Sequence, residues 1–206
     1  MRPVLVAVSQ RVDAHPDRGE RRDALDRRMT AWILATGALP VPVPNTLAEA
    51  HALAGWLDAV RPAALLLSGG NDVGAEPVRD ATERSLLAWA AEGSRPVLGI
   101  CRGFQMMAVA SGGTLVRRVG HTGTRHGIAP DEGPARTVNS YHDFGLAGLP
   151  PGYRATALAD DGTIEAVRHA ERPWEGWMWH PEREPAFDRA DLDRAATLWE
   201  AAPCGR

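Results

Sequence analysis

Pro96-Val97-Leu98-Gly99-Ile100-Cys101-Arg102-Gly103-Phe104-Gln105 joins a short apolar, β-forming run to the helix-like stretch Arg102 to Ala110. Gly-x-Cys-x-Gly at such a junction is the pattern of a nucleophile elbow. A sharp strand-to-helix turn crowds the positions two residues either side of its apex, and Gly99 and Gly103 remove the side chains that would clash there. The Cys101 sulfur would then stand exposed above a sheet at a helix N-terminus, where the dipole and free N–H groups favour a thiolate. The competing reading is a buried structural cysteine, the commoner fate of a lone Cys.

Working toward the N-terminus, short apolar runs alternate with helix-like stretches, which predicts an α/β fold with a mostly parallel sheet and crossover helices. Val4 to Val8 reads as a buried strand. Leu25, Met29, Trp32, Ile33 and Thr36 recur on one helix face, and Ala38 to Val43 is the next extended run. Its prolines Pro40 and Pro42, with Pro44 just beyond, cannot donate ladder hydrogen bonds and place it at an edge or leave it partly paired. Leu47, Ala50, Ala54, Leu57 and Val60 mark a second helix, Ala63 to Ser68 a third strand, and Asp80 to Glu92 a third helix. Beyond Gly112 the chain turns to Gly, His and polar residues through Gly133. Extended pieces follow at Ala135 to Ser140, Tyr153 to Leu158, Thr163 to Arg168 and Gly176 to Trp179, with a helix from Leu192 to Ala201. One domain over residues 1–206 is expected.

Composition narrows the function. The 206 residues carry 23 basic and 26 acidic side chains, a net charge of −3, which gives no general pull toward nucleic acid or an anionic membrane. All the basic residues are arginine, so Schiff-base chemistry, a Ser/Lys dyad and a P-loop lysine are excluded. Two cysteines, Cys101 and Cys204, are too few for a disulfide framework and lack the spacing of a structural zinc site, so a reducing setting is expected. The apolar start is shorter than a signal-peptide core and no stretch reaches the ~20 residues of a membrane span; a cytoplasmic location follows as an expectation. Cys204 reads as a bystander.

A cysteine nucleophile needs a base that takes its proton and returns it to the leaving group. Among the seven histidines, His180 stands out in Gly176-Trp177-Met178-Trp179-His180-Pro181-Glu182, an extended run broken by proline, with Glu182 near enough to orient the imidazole. An ordinary surface pair is the alternative. For the oxyanion of a tetrahedral intermediate, Arg102 N–H is one candidate donor. The turn Ser68-Gly69-Gly70-Asn71-Asp72 offers another, with Gly70 as the choice.

These residues resemble the class I glutamine amidotransferase-like superfamily, and within it the γ-glutamyl hydrolase branch. The resemblance rests on Ser68 to Val73, Arg79-Asp80-x-x-Glu83, Pro96 to Leu115, Val138-Asn139-Ser140-Tyr141-His142 and Trp179-His180-Pro181-Glu182. It implies a flavodoxin-like, mostly parallel central sheet with flanking helices and a small β-rich elaboration in the second half. It further implies Cys101 as nucleophile, His180 and Glu182 as the rest of a triad, and Gly70 and Arg102 as the oxyanion hole. Gln105, Asn139, Ser140, Tyr141 and His142 would face a γ-glutamyl group. On residues alone, Gln105 shares the nucleophile's helix face or faces solvent, and His142 is a second acid, a substrate contact or a loop histidine.

Ser9 to Asp13 and the cluster Glu20 to Arg28 are similar to γ-glutamyl-CDP-amidate hydrolases. Arginine forks suit a diphosphate leaving group, and Arg11 and Arg22 are the expected ligand contacts; the other reading is a solvated helix face with intrahelical ion pairs. The expected reaction is hydrolysis of a γ-glutamyl amide through a glutamyl thioester, without cofactor or metal, on a small-molecule substrate and with a homodimer left open. The rivals are a glutaminase that passes ammonia to a partner synthetase, and a catalytically silent binding domain on the same fold. Trp174, Trp177 and Trp179 either shape a pocket or pack in the core.

Overall fold

The computed structural model describes residues 3–202; Cys204 lies outside them. Strand β1 (Leu5–Ser9) leads into β2 (Arg11–His15) and β3 (Glu20–Ala24), then helix α1 (Arg27–Ala35) and β4 (Leu39–Val43). Helices α2 (Thr46–Glu49) and α3 (Leu53–Val60) precede β5 (Ala64–Leu67), α4 (Pro77–Glu92), β6 (Val97–Ile100) and α5 (Arg102–Ala110). The second half comprises β7 (Leu115–Arg117), β8 (Thr122–Pro130), β9 (Arg136–Tyr141), β10 (Phe144–Leu146), β11 (Tyr153–Ala159), β12 (Ile164–His169), β13 (Trp174–Trp177) and α6 (Arg189–Glu200).

A nine-stranded sheet has the order β4-β1-β5-β6-β13-β12-β11-β8-β9. From β4 to β13 every pairing is parallel, and from β13 onward every pairing is antiparallel. This is the expected α/β architecture, and the β-rich second half extends the main sheet. The proline-rich strand β4 lies at the edge and pairs with β1 alone in this sheet. Leu39 N–H donates to Val4, so the period of two turns the donor-less Pro40 and Pro42 toward the open side.

The same period divides the core. Val6, Val8, Leu66, Leu98 and Ile100 project to one face, where α1 and α6 cover them with Met29, Trp32, Ile33, Leu198 and Trp199. Ala7, Leu65, Leu67 and Val97 project to the other, under Leu57 of α3, Leu86 of α4 and Phe104 of α5. Trp177 and Trp179 stack at 5.4 Å, and Trp32 meets Trp177 edge-on, so these rings belong to the core. Among the described residues no helix is long and apolar enough to cross a membrane.

Three expectations are corrected. Glu20 to Ala24 is not a helix face but the return strand of the β2–β3 hairpin, whose turn Gly19 makes at φ 64°. Alternating Arg and acidic residues satisfy ion-pair spacing on a helix and a strand alike. Here burial of Val12 and the bonds from Asn45 to Asp23 decide for the strand. The second helix is broken into α2 and α3, with His51 at φ 52° between them. Thr122 to Pro130, read as irregular polar sequence, is the long strand β8, whose side chains are largely exposed.

Candidate active site

The carboxyl ends of β1, β5, β6 and β13 meet at one edge of the sheet, the position where open α/β sheets place ligands. Cys101 sits between β6 and α5 with φ 50° and ψ −107°, a left-handed conformation that a non-glycine residue holds only under constraint. Its N–H donates to Trp177 O at 2.7 Å. A Cβ on Gly99 would lie 2.7 Å from Phe104 N, and one on Gly103 would overlap the Leu67 carbonyl of β5. Both glycines are therefore dictated by the packing of the elbow.

His180 follows β13, with Pro181 opening the tight 3-10 turn Pro181–Arg183. That turn carries Glu182 back onto the ring, and His180 Nδ1 lies 2.6 Å from Glu182 Oε1. The Cys101 sulfur acts on the same imidazole. Burial alone would lower the imidazole's pKa. The charge and hydrogen bond of Cys101, joined by Glu182, outweigh burial and raise it to about 9. Imidazole and carboxylate are thus joined by a short hydrogen bond, with the sulfur acting on the same ring.

Loop 68–71 packs against the same ring, and a Cβ on Gly69 would lie 2.5 Å from His180 Cε1. Gly70 adopts φ 82°. Neither Gly70 N–H nor Arg102 N–H has an acceptor among the described residues, so two main-chain donors are free beside the sulfur-bearing turn. The fully buried guanidinium of Arg79 fixes this loop by donating to the carbonyls of Ser68, Gly69 and Gly70 and to Asn71 Oδ1. Arg79 Nε also donates to Glu83 at 2.9 Å, and Glu83 pairs with Arg102 and accepts from Ser9. Burial pushes Arg79 down to about 10 and Arg102 to about 9, against the pull of Asp80.

Asn139 uses its amide on the protein: Nδ2 donates to His180 O at 2.8 Å and Oδ1 accepts from His180 N at 2.9 Å. Ser140 donates to His121 O, and His142 is buried with Nδ1 on Phe144 O at 3.1 Å. Strand alternation turns Asn139 and Tyr141 toward His180 and turns Ser140 and His142 the other way. Asn139, Ser140 and His142 thus spend these side-chain bonds on the protein; Tyr141, half-exposed, is edge-on to His180 at 5.7 Å. Gln105 is buried, not solvent-facing, and donates to Phe144 O at 2.8 Å.

A cleft of about 260 Å³ opens over Gly70 and His180, with Arg11, Asp13, Asp26 and Arg183 on its walls. Arg22 is not on it: although it lies opposite Asp13 on the same hairpin face, its side chain is 52% exposed and turned to Glu20 nearer the Gly19 turn. Arg28, in contrast, donates to the carbonyls of Glu182 and Glu184 and pins the triad's turn. Sequence reading missed that role. It equally missed the Arg79–Glu83 clamp, although the i, i+4 spacing of those two residues was its visible signal.

Comparison with known proteins places this geometry. The family model described as glutamine amidotransferase class-I matches residues 34–192. The chain belongs to the class-I glutamine amidotransferase family. This amidotransferase-family chain is 26% identical to a γ-glutamyl-γ-aminobutyrate hydrolase of Shigella flexneri, over 89% of each chain. It is 35% identical to a γ-glutamyl-CDP-amidate hydrolase of Campylobacter jejuni over 63% of this chain and 66% of that one, just under two thirds of the relative's length. Its fold matches that of a putative GMP synthase component from Thermoplasma acidophilum with a TM-score of 0.75 at 18% identity, covering 98% and 94% of the two chains.

Proposed function

We propose that this class-I amidotransferase-family chain hydrolyses a γ-glutamyl amide through a Cys101 thioester. The observation that carries the reading is the short hydrogen bond joining His180 to Glu182, with the Cys101 sulfur of a strained elbow acting on the same ring. The sulfur attacks the γ-carbonyl, and the developing oxyanion is met by the N–H groups of Gly70 and Arg102. His180, protonated up to about pH 9, gives its proton to the departing amine. Neutral imidazole then takes a proton from water, which attacks the thioester and releases glutamate. Glu182 holds the ring in the required tautomer throughout.

The names of the Shigella and Campylobacter relatives support a γ-glutamyl substrate. Arg11 and Arg183 on the cleft wall suit a phosphate-bearing leaving group, and Asp13 and Asp26 suit a cationic amine. The test is turnover of glutamine, γ-glutamyl-γ-aminobutyrate and γ-glutamyl-CDP-amidate, with and without a candidate synthetase. Cleavage of a γ-glutamyl amine or amidate by the chain alone, abolished in Cys101→Ala, is expected. Cleavage of glutamine only, and only beside a synthetase, replaces this reading with that of a glutaminase component.

A further inference from the structure

A second group of ionisable side chains lies inside the protein, beyond Cys101, His180 and Glu182. Glu165 on β12 is fully buried, and three imidazoles close around its carboxylate. His121 Nδ1 is 3.5 Å and His142 Nε2 3.4 Å from Glu165 Oε1, while His126 Nε2 is 3.4 Å from Oε2. All five of these atoms are buried and without a hydrogen-bond partner. No guanidinium among the described residues pairs with Glu165. A carboxylate stripped of water in this way is stabilised by a proton or a cation.

The outer hydrogen bonds show what kind of cation. His142 Nδ1 faces Phe144 O at 3.1 Å, an acceptor, so Nδ1 carries a proton, and in the neutral tautomer the lone pair of Nε2 turns toward Glu165. His121 Nε2 faces Asp161 Oδ2 at 3.0 Å, which likewise leaves the lone pair of Nδ1 on the inside. Two lone pairs and a carboxylate oxygen thus converge, all within 4.8 Å of one another. Charge-assisted N–H···O bonds run about 2.7–2.9 Å, shorter than these separations. Ligands held about 2.1 Å from a tetrahedral zinc ion stand about 3.4 Å apart. Asp161 and Phe144 O are the outer partners that metal-bound imidazoles characteristically carry.

We propose that His121, His142 and Glu165 bind a divalent transition-metal ion of the zinc class, with His126 beside the site on the other carboxylate oxygen. Two imidazoles and a carboxylate suit zinc over magnesium or calcium. The site is buried and its role is structural. It joins the start of β8, the segment after β9 and strand β12 behind the catalytic base. Asn139 on β9 holds the His180 main chain, and Phe144 O accepts from both His142 and Gln105. No step of the thioester reaction passes through the ion, and metal content is measured independently of activity, so this inference stands or falls apart from the proposed function.

The experiment uses the full chain made without a polyhistidine tag, in a Cys101→Ser background so that the thiol–imidazole pair cannot supply the ligands. As-purified protein is expected to contain close to one zinc per chain by elemental analysis. After dialysis against EDTA, CoCl2 should bind at one equivalent with visible d–d bands and no thiolate charge-transfer band, and ZnCl2 should displace it. Glu165→Gln and His142→Gln should each weaken Co(II) binding at least about a hundredfold. Should either variant fail to fold, His121→Gln, altered at the other convergent imidazole, should still weaken binding about tenfold or more. A folded, metal-free chain that takes up neither CoCl2 nor ZnCl2 overturns the proposal. So does undiminished binding in any folded variant of these residues.

Discussion

Replacing Cys101 by Ala should lower the pKa of His180, because sulfur is the largest influence opposing burial of the imidazolium. In the intact protein the ring is carried from 6.5 to about 9. At about 1.4 kcal/mol per pH unit, that displacement amounts to roughly 3 kcal/mol in favour of the protonated form. Because the folded value is raised, this contribution is fully present below about pH 6.5 and is lost as pH rises through about 9. With the sulfur gone, burial remains and Glu182 alone supports the charge, so the ring should titrate at least about one unit lower. NMR titration of the His180 ring protons in the wild-type and Cys101→Ala proteins measures this directly, and chemical denaturation between pH 6 and 10 follows the matching loss of stability. A wild-type His180 titrating at or below 6.5, or one indifferent to removal of the sulfur, would refute the coupling on which the catalytic reading rests.

Asn139→Ala strips partners from the buried N–H and C=O of His180; a loss of about 1–3 kcal/mol per group is expected in denaturation, and kcat should fall with little change in KM. A rise in KM alone would instead place Asn139 on the substrate. Glu83→Gln leaves two buried guanidiniums short of their carboxylate and should cost about 3–5 kcal/mol, read by urea denaturation. Gly103→Ala drives a methyl group into the Leu67 carbonyl and should cost about 1–3 kcal/mol while removing most activity; unchanged turnover would show that the elbow tolerates displacement. Arg11→Ala should raise KM for a phosphate-bearing substrate by about tenfold and leave glutamine turnover within twofold, as measured by steady-state kinetics.

The elbow was legible because its constraints are local. Gly99, Cys101 and Gly103 answer to a turn only a few bonds long, and the apolar run before them could only be a buried strand. His180 and Glu182 were legible for a similar reason, since Pro181 forces the short turn that returns the carboxylate to the ring. The β2–β3 hairpin was not, because charged residues at close spacing satisfy either period and the deciding bonds come from Asn45 on a distant segment. Resemblance located the 139–142 segment but not the direction of its side chains, which pairing with β8 fixes. The histidine cluster escaped because His142 and Glu165 lie far along the chain from His121 and only sheet pairing brings the three together. Arg79 was quoted for its motif, yet its hold on three successive carbonyls exists only once α4 has docked beneath the loop.

Strand β13 is the seam between the two halves of the sheet, bonded in parallel to β6 and antiparallel to β12. The sulfur leaves the end of one of these neighbours and the imidazole leaves the end of the seam itself. Their separation is therefore set by the register of a single four-residue ladder, Trp174↔Val97 to Trp177↔Ile100. Growth or loss of hairpins at the far antiparallel edge can remodel what the enzyme recognises without touching that ladder. A slip of one residue within it would point every side chain of the seam to the opposite face and carry the base away from the thiol.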